Sequence, residues 1–380
     1  MQIRPNLGLI LTGGGARAAY QAGVLRALAE LMPNPTRNPF PIITGTSAGA
    51  INAAALAGDA ANFGQGVQHL LGTWKHMHVN KVFRTDAGTI YKSGAHWVAA
   101  LASGGLGKRN PRCLLDNTPL RGLLESHLRL SRISLNILQG HLRAVGITAS
   151  GYSTGRTICF YEGEEHIRPW QRIRRRGVPA RINLDHVMAS LAIPLLFPAV
   201  RIGGEYMGDG AMRQSTPLSH AIHLGAERLL VVGTRNDVTR GEPLPSDRPE
   251  YPSLGDIGGY VLDTLFMDSV QSDAERLGRV NDLVRALPRD QPPTEDGRPL
   301  RKVELKILVP SEDLRPVAQH YRKAFPRPVR HLLRGIGAMD EDSPIPSYLL
   351  FDQVFCSALI DLGYRDAMDQ SESLKKFLFF

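Results

Sequence analysis

Two strand-turn-helix units near the start of the chain constrain its fold more than any other feature. The apolar run LGLIL (residues 7–11) is followed by three glycines and then by small and apolar residues at helical spacing. The run PIITG (residues 41–45) leads in the same way into a sharp turn and the small-residue segment AGAINAAALAG. Two strands that each lead into a helix predict an α/β protein with a parallel sheet.

The rest of the chain extends this plan. Three further apolar runs predict buried strands at residues 142–150, 228–234 and 303–310, and two longer segments predict helices at residues 258–286 and 348–367. Segments rich in proline and charge, residues 236–253 and 288–299, are expected to be exposed loops. Because an apolar strand follows the second loop, we expect the chain to return to the same sheet. We predict one domain over residues 1–380, with a core over about 5–310 and a helical extension over about 311–380.

Composition excludes several classes of protein. With 43% hydrophobic and 21% charged residues, the 380-residue chain can bury a large core and does not resemble a disordered protein. Cys113, Cys159 and Cys356 lie far apart without C-x-x-C spacing, which disfavours zinc sites and disulfides. The first residues lack the features of a secretory signal, and no run approaches the roughly 18 to 20 apolar residues that span a bilayer. We expect a cytoplasmic protein whose membrane contact, if any, is peripheral.

The formal charge of +9 favours acidic partners. The densest basic run, QRIRRRGVPAR, covers residues 171–181, and its simplest interpretation is a solvated loop. The alternatives are attraction to anionic lipid headgroups or to nucleic acid. The run has no interleaved aromatic residues, so we expect no nucleic-acid partner. The tail LKKFLFF (residues 374–380) is expected to pack on the body or fray, with contact to a membrane surface as the alternative.

The pattern Gly45-Thr46-Ser47-Ala48-Gly49 carries the clearest chemical signal. In a G-x-S-x-G turn between a strand and a helix, the serine hydroxyl is presented at the helix N-terminus, and the glycines avoid collisions with neighbouring strands. Ser47 is therefore the candidate nucleophile, and Gly45 and Gly49 form its elbow. Residues 151–155 also match the pattern, but β-branched and aromatic residues follow them, so we predict a hairpin turn there.

A serine nucleophile needs donors for the negative charge that develops on the substrate. Consecutive backbone N–H groups in the first glycine-rich turn can converge on such an oxyanion, and the helix dipole favours negative charge there. The candidate donor segment is Gly13, Gly14, Gly15, Ala16 and Arg17. A dinucleotide site is the rival interpretation, since residues 13, 15 and 18 fit G-x-G-x-x-A, but the second strand lacks the acidic residue that such a site requires. A turn with a purely structural role is the third interpretation of this glycine-rich segment.

The residues alone leave two kinds of base open. A Ser-Asp-His triad would use one of the twelve histidines, of which His220, His223, His320 and His331 follow a plausible acid. None of these four lies in a glycine-bounded loop after a final strand, and each is expected to be a surface or capping residue. Asp209, in the glycine-rich stretch GGEYMGDGAMRQSTPL, could be held beside another loop, although an isolated D-G is usually only a turn.

Together these motifs resemble those of the patatin-like phospholipases. GGGAR (residues 13–17), GTSAG (45–49) and DGA (209–211) follow the order of that family. ASLAIPLLFPAV (189–200) and the C-terminal stretch YLLFDQVFCSALIDLGYRDA are also similar to family segments. The chain departs from many members at two positions, with Thr12 in place of aspartate and Ala18 in place of glycine.

The resemblance implies a three-layer α/β/α sandwich with a mainly parallel central sheet. It implies a lipid acyl hydrolase of phospholipase A or lysophospholipase type, which acts on phospholipid or other fatty-acyl esters without a metal or cofactor. The implied machinery is a Ser47–Asp209 dyad, an acyl-enzyme intermediate and an oxyanion hole over residues 13–17, where Arg17 would brace the turn or favour its anionic environment. The alternatives are a Ser-Asp-His esterase and a non-catalytic or nucleotide-binding α/β protein.

Overall fold

A computed structural model describes residues 6–235, 251–265, 269–286, 294–295, 298–340 and 343–379. The strands in these residues are β1 (Leu7–Leu11), β2 (Ile42–Thr46), β3 (Ala144–Gly151), β4 (Thr157–Gly163), β5 (Trp170–Gln171), β6 (Arg175–Pro179), β7 (Val200–Ile202), β8 (Glu205–Asp209), β9 (Arg228–Val232), β10 (Thr294–Glu295), β11 (Arg298–Pro299) and β12 (Glu304–Leu308).

The α-helices are α1 (Ala19–Leu31), α2 (Ala48–Gly58), α3 (Phe63–Lys75), α4 (Val79–Val82), α5 (Ala87–Ala102), α6 (Thr118–His127), α7 (Ile133–Leu138), α8 (Leu184–Ser190), α9 (Pro217–His223), α10 (Leu254–Leu265), α11 (Ser269–Ala286), α12 (Leu314–His320), α13 (Arg327–Gly335), α14 (Ile345–Leu349), α15 (Gln353–Asp369) and α16 (Ser371–Phe379). Short 3-10 helices occur at Gly15–Ala18, Gly107–Arg109, Leu130–Arg132, Gly210–Arg213 and Arg322–Ala324.

One large sheet forms the centre of the molecule. Its strands are ordered β12-β9-β1-β2-β3-β4-β6-β5, with β8 also paired to β3 and β7 to β8. The five strands from β12 to β3 run parallel, whereas β4 and β8 run antiparallel to β3. This confirms the predicted mixed α/β fold with a mostly parallel central sheet.

Side chains point alternately to the two faces of the sheet along each strand. Both faces therefore carry apolar side chains, and helices cover both of them. On β1, Leu9 and Leu11 pack into a buried cluster with residues of α1, α2 and α15. Ile10 points to the other face, where Leu218 of α9 and Leu277 of α11 join it. Helices α1 and α15 cross closely at Gly23, where a Cβ would collide with the carbonyl oxygen of residue 360.

Strand register brings the two glycine-rich turns together. In the parallel pair β1–β2, Leu11 lies opposite Gly45, so the segments that follow both residues emerge at the same edge of the sheet. Strand β2 ends with Thr46 opposite Thr148 of β3. Strand β3 continues beyond the end of β2. Strand β4 pairs with one edge of β3, and β8 pairs with the other edge beyond the end of β2, with Asp209 opposite Ala149.

Two predicted helices differ from the described structure in their bounds. The helix expected over residues 258–286 corresponds to α10 and α11, and the three residues between them lie outside the described part. The helix expected over residues 348–367 is wrong at its start, because α14 ends at Leu349 and α15 begins at Gln353. The Asp352 side chain accepts hydrogen bonds from the N–H groups of Val354 and Phe355 and so caps a new helix.

Most other local predictions hold, with differences at the edges of the sheet. Residues 151–155 form the turn of the β3–β4 hairpin, as expected, and Ser153 is exposed. Strand β12 rejoins the sheet but lies at its edge and is half-exposed rather than buried. The basic run 171–181 is not simply a loop, since much of it forms β5 and β6.

The remaining expectations concern loops and the tail. Residues 236–250 of the first predicted loop lie outside the described part, and the second includes the short antiparallel pair β10–β11, separate from the main sheet. The tail forms α16, with Leu374 buried and the Arg228 guanidinium 4.6 Å from the Phe377 ring centroid. Among the described helices, none combines the length and the apolar character needed to cross a bilayer.

Candidate active site

Ser47 lies on a strained turn between β2 and α2. Its φ of 52° falls in the left-handed region that residues with a Cβ rarely adopt. The turn also requires its glycines, because a Cβ on Gly45 would collide with the carbonyl oxygen of Gly49, and a Cβ on Gly49 with that of Leu11 in β1. The elbow is therefore packed directly against the end of the neighbouring strand.

The Ser47 hydroxyl donates a hydrogen bond to Asp209. The distance from Ser47 Oγ to Asp209 Oδ2 is 2.6 Å, and each residue is only 1% exposed. The other carboxylate oxygen, Oδ1, accepts the N–H of Ala211 at 2.8 Å, and the N–H of Asp209 donates to the carbonyl of Ala192. The carboxylate is thus fixed at the end of β8 rather than in a loop, and it faces the serine across the gap where β2 ends.

Burial changes the acidity of this carboxyl group. Removal from water disfavours the charged form and raises the pKa of Asp209 to about 7, although the hydrogen bonds from Ser47 and Ala211 act in the opposite direction. A carboxylate with a pKa near neutrality is a much better proton acceptor than an exposed one. Asp209 is therefore a candidate base for the Ser47 hydroxyl that it contacts.

Ser190 holds the backbone of the elbow and was missed by the sequence analysis. Its Oγ accepts the N–H of Ser47 at 2.8 Å and donates to the carbonyl of Thr148 at 2.6 Å. The residue is fully buried at the end of α8. The only sequence signal was its place in the segment 189–200, which resembles the family segment that precedes the aspartate.

The first glycine-rich turn lies beside the elbow. Gly15 has a φ of 56°, and Ala16 and Arg17 are buried with it in the 3-10 helix that follows Gly14. The carbonyl of Gly13 accepts the hydroxyl of Thr234. The N–H of Arg17 donates to the carbonyl of Gly14 at 3.1 Å, so that amide is engaged within the turn itself.

The Arg17 side chain points away from solvent and is 3% exposed. Its Nε and Nη2 donate to Ser347 Oγ at 2.9 and 2.6 Å, and its Nη1 donates to the Tyr348 hydroxyl at 3.0 Å. Asp263 completes the group: its Oδ1 accepts the Tyr348 hydroxyl at 2.8 Å and lies 3.9 Å from the Arg17 guanidinium. Arg17 is therefore buried within a hydrogen-bonded group and is not a surface cation.

The C-terminal segment supports the same turn from behind. A Cβ on Gly15 would collide with the carbonyl of Tyr348, so the glycine backbone lies directly against α14. Sequence reasoning missed Ser347, Tyr348 and Asp263, because nothing in their local pattern links them to a turn more than 240 residues earlier.

The histidines lie elsewhere. In the hydrogen bonds of the described residues, which include all twelve histidines, neither Ser47 nor Asp209 contacts one. His220 was expected at the surface or at a cap, and this was wrong, since it is 1% exposed and its Nδ1 lies 3.3 Å from Thr148 Oγ1. Burial lowers the pKa of His220 to about 3, which keeps its imidazole neutral.

No metal-binding group is evident in the part of the chain that the structure describes, where no three side chains of histidine, cysteine, aspartate or glutamate converge. The three cysteines are free, with Cys159 and Cys356 buried.

Comparison with known proteins relates this site to a family. A sequence model of the patatin-like phospholipases matches residues 9–222, which is more than half of the chain and extends from β1 to α9. The match includes the first glycine-rich turn, the elbow and Asp209. A comparison with curated proteins finds no match.

Proposed function

The chain belongs to the patatin-like phospholipase family, and we propose that it hydrolyses fatty-acyl esters of lipids through Ser47 and Asp209. The observation that carries this proposal is the 2.6 Å hydrogen bond between the two buried side chains. A serine hydroxyl is a weak nucleophile unless a base takes its proton, and the Asp209 carboxylate is in contact with that proton.

The first half of the proposed reaction acylates the serine. Ser47 Oγ attacks the ester carbonyl carbon while its proton passes to Asp209 Oδ2. The tetrahedral intermediate then expels the alcohol, which takes the proton from Asp209, and the acyl group stays on Ser47 as an ester. For a phospholipid the released alcohol is a lysophospholipid.

The second half releases the acyl chain. Asp209, ionised again, accepts a proton from water as the water oxygen attacks the acyl-serine carbonyl. Collapse of this second intermediate returns the proton to Ser47 and releases a fatty acid. The sum is one ester and one water converted to one alcohol and one carboxylic acid.

Both intermediates carry an oxyanion that needs hydrogen-bond donors. We assign this role to the backbone N–H groups of Gly14, Gly15 and Ala16. Two facts support the assignment: the register of β1 and β2 brings their turn beside Ser47, and the Arg17 amide is already bonded to Gly14. Arg17 then acts through its side chain, as a positioning residue for the turn.

A fluorophosphonate probe tests the nucleophile, since it labels only an activated serine. We expect one labelled site, lost in Ser47→Ala and kept in Ser153→Ala, whose serine belongs to the second G-x-S-x-G match. Turnover of phospholipid and lysophospholipid vesicles should follow the labelling, with Ser47→Ala as the blank. Labelling that survives Ser47→Ala, or lipid turnover by that variant, would contradict the proposal.

A further inference from the structure

A large cavity lies on the α9/α11 side of the molecule and plays no part in the proposed hydrolysis. Its volume is about 1080 Å³, and it extends from Arg175 and Thr216 to Arg143, the residue that precedes β3. Leu218 and Leu277, in its wall, belong to the buried cluster on this face of the sheet. Ser47 is followed by α2, which packs on the opposite face.

Positive charge dominates the polar part of the lining. The described lining includes six arginines: Arg143, Arg168, Arg172, Arg175, Arg276 and Arg301. It includes only two carboxylates, Glu227 and Asp273. Glu227 lies 4.0 Å from Arg301, Asp273 lies 3.9 Å from Arg276, and Arg143 pairs with Glu164 at 3.0 Å. Arginines still outnumber carboxylates among the described residues in and beside the lining. Such a concave surface attracts anions.

The rest of the lining is apolar. Leu218 and Ile222 follow each other at i and i+4 on α9, and Leu277 and Val280 at i and i+3 on α11, so each pair lies on one helix face. These side chains form a wall that a small hydrated anion would leave in contact with water.

An aromatic stack forms another wall. The Trp170 ring stacks on His223 at 5.0 Å between centroids and on Tyr161 at 5.1 Å. The indole lies flat on Gly177, where a Cβ would collide with the ring. The buried Trp170 Nε1 has no hydrogen-bond partner among the described residues. The indole is therefore held in place by packing, and because only 7% of the residue is exposed, it forms a small, rigid apolar part of the lining.

We propose that this cavity binds an amphiphilic anion, a molecule with one acyl chain and a carboxylate or phosphate headgroup. The arginines would hold the headgroup, and the walls of α9, α11 and Trp170 would cover the chain. Free fatty acids and lysophospholipids share this chemistry. The proposal depends on no step of the hydrolysis, so it can fail or succeed independently of the proposed function.

Direct binding to full-length Ser47→Ala protein tests the proposal, because that background prevents turnover of the probes. The probes are oleate, 1-oleoyl-lysophosphatidate, 1-oleoylglycerol and inorganic phosphate, each below its aggregation concentration, with calorimetry and tryptophan fluorescence as readouts. The test variant adds Arg168→Gln and Arg276→Gln, both exposed residues of the lining. The matched control adds Arg174→Gln and Arg176→Gln, two exposed arginines of the basic run that are absent from the lining.

We expect saturable binding of oleate or lysophosphatidate that weakens at least tenfold in the test variant and less than twofold in the control. Val280→Glu, which introduces a carboxylate into the apolar wall, should weaken it to a similar extent. The ratio of the oleate affinity to the lysophosphatidate affinity then shows whether the cavity prefers a carboxylate or a phosphate headgroup. Equal affinities in the test and control variants would assign the ligand to another site and overturn the proposal. Binding of 1-oleoylglycerol or of inorganic phosphate as tight as that of the amphiphilic anions would overturn it as well.

Discussion

Ser47 Oγ lies 2.6 Å from Asp209 Oδ2, although 162 positions separate the two residues in sequence. Their contact follows from the lengths of three strands. Strand β3 continues beyond the end of β2, and β8 pairs with the part of β3 that β2 leaves free. A serine that follows one strand and a carboxylate that ends another therefore meet along the same edge of β3.

Asp209→Asn should remove nearly all turnover. The amide has almost the same shape but cannot accept the Ser47 proton, and a positioned base commonly contributes about 10²- to 10⁴-fold in rate. We expect a fall in kcat/KM of at least about 10³-fold on a soluble p-nitrophenyl ester. Near-normal hydrolysis in this variant would exclude Asp209 as the base, and His220→Gln serves as the control for a histidine-dependent mechanism.

The pH dependence of turnover should report the raised pKa of Asp209. Asp209 accepts a proton only when ionised, and its pKa is about 7, so kcat/KM should rise with pH and level off above about pH 8. At pH 6 we expect roughly a tenth of the plateau value. A profile already flat between pH 5 and 8 would mean that the carboxyl group titrates at its ordinary position.

The same residue should make the wild-type protein less stable at high pH. The pKa of Asp209 is about 7 in the folded chain against 3.8 as the ordinary value, so the folded state binds this proton more tightly than the unfolded state. The stability that this group contributes is therefore fully present below pH 4 and is lost as the pH rises through 7. At pH 8 we expect Asp209→Asn to exceed wild type in free energy of unfolding by up to roughly 4 kcal/mol.

Denaturant unfolding of both proteins at pH 4 and pH 8 measures that difference. Buried His220, with its pKa lowered to about 3, destabilises both proteins equally in acid, so the comparison between them isolates Asp209. An equal difference in stability at the two pH values would show that the carboxyl group is not perturbed.

Gly15→Ala should damage catalysis through the shape of the turn. The added Cβ would collide with the Tyr348 carbonyl, and the alanine backbone would have to adopt the positive φ that Gly15 has. Gly140→Ala is the matched control, because Gly140 has a φ of 74° with open space around it. We expect kcat to fall by about 10²-fold or more in Gly15→Ala, as for loss of an oxyanion donor, and to change little in the control. Equal effects would point to backbone strain alone.

Ser347→Ala tests the support of Arg17. The substitution removes the acceptor of two guanidinium hydrogen bonds in a buried site, which should cost about 1–3 kcal/mol of stability. If Arg17 positions the turn, kcat should fall while KM changes little, since the oxyanion exists only after attack. Ser343→Ala is the control, because its buried hydroxyl has no hydrogen-bond partner among the described residues. A loss of stability with unchanged kcat would show that Arg17 contributes to folding but does not position the turn for catalysis.

Sequence patterns anticipated the parts of the site that local structure determines. The glycine turns, the elbow at Ser47 and the hairpin at residues 151–155 each follow from spacing within about ten residues. The glycine-rich stretch around Asp209 made it one candidate base and the family resemblance selected it, but its position at a strand end depends on the pairing of β8 with β3.

Contacts between distant segments could not be predicted in this way. Arg17 gave no sign of burial, because its partners Ser347 and Tyr348 lie 330 and 331 positions later. The break before α15 had a local signal in Asp352, a good N-cap residue, but the continuous apolar pattern around it obscured that signal.

The family match ends at residue 222, whereas the sheet does not. Strand β1 pairs on one side with β2 and on the other with β9, which begins at Arg228. A fragment truncated at the family boundary would leave five residues of β1 with unpaired backbone groups on one side and would remove α14 from behind Gly15. We propose that residues 6–379 are one folding unit, so expression of the shared segment by itself would yield an aggregation-prone chain rather than a minimal enzyme.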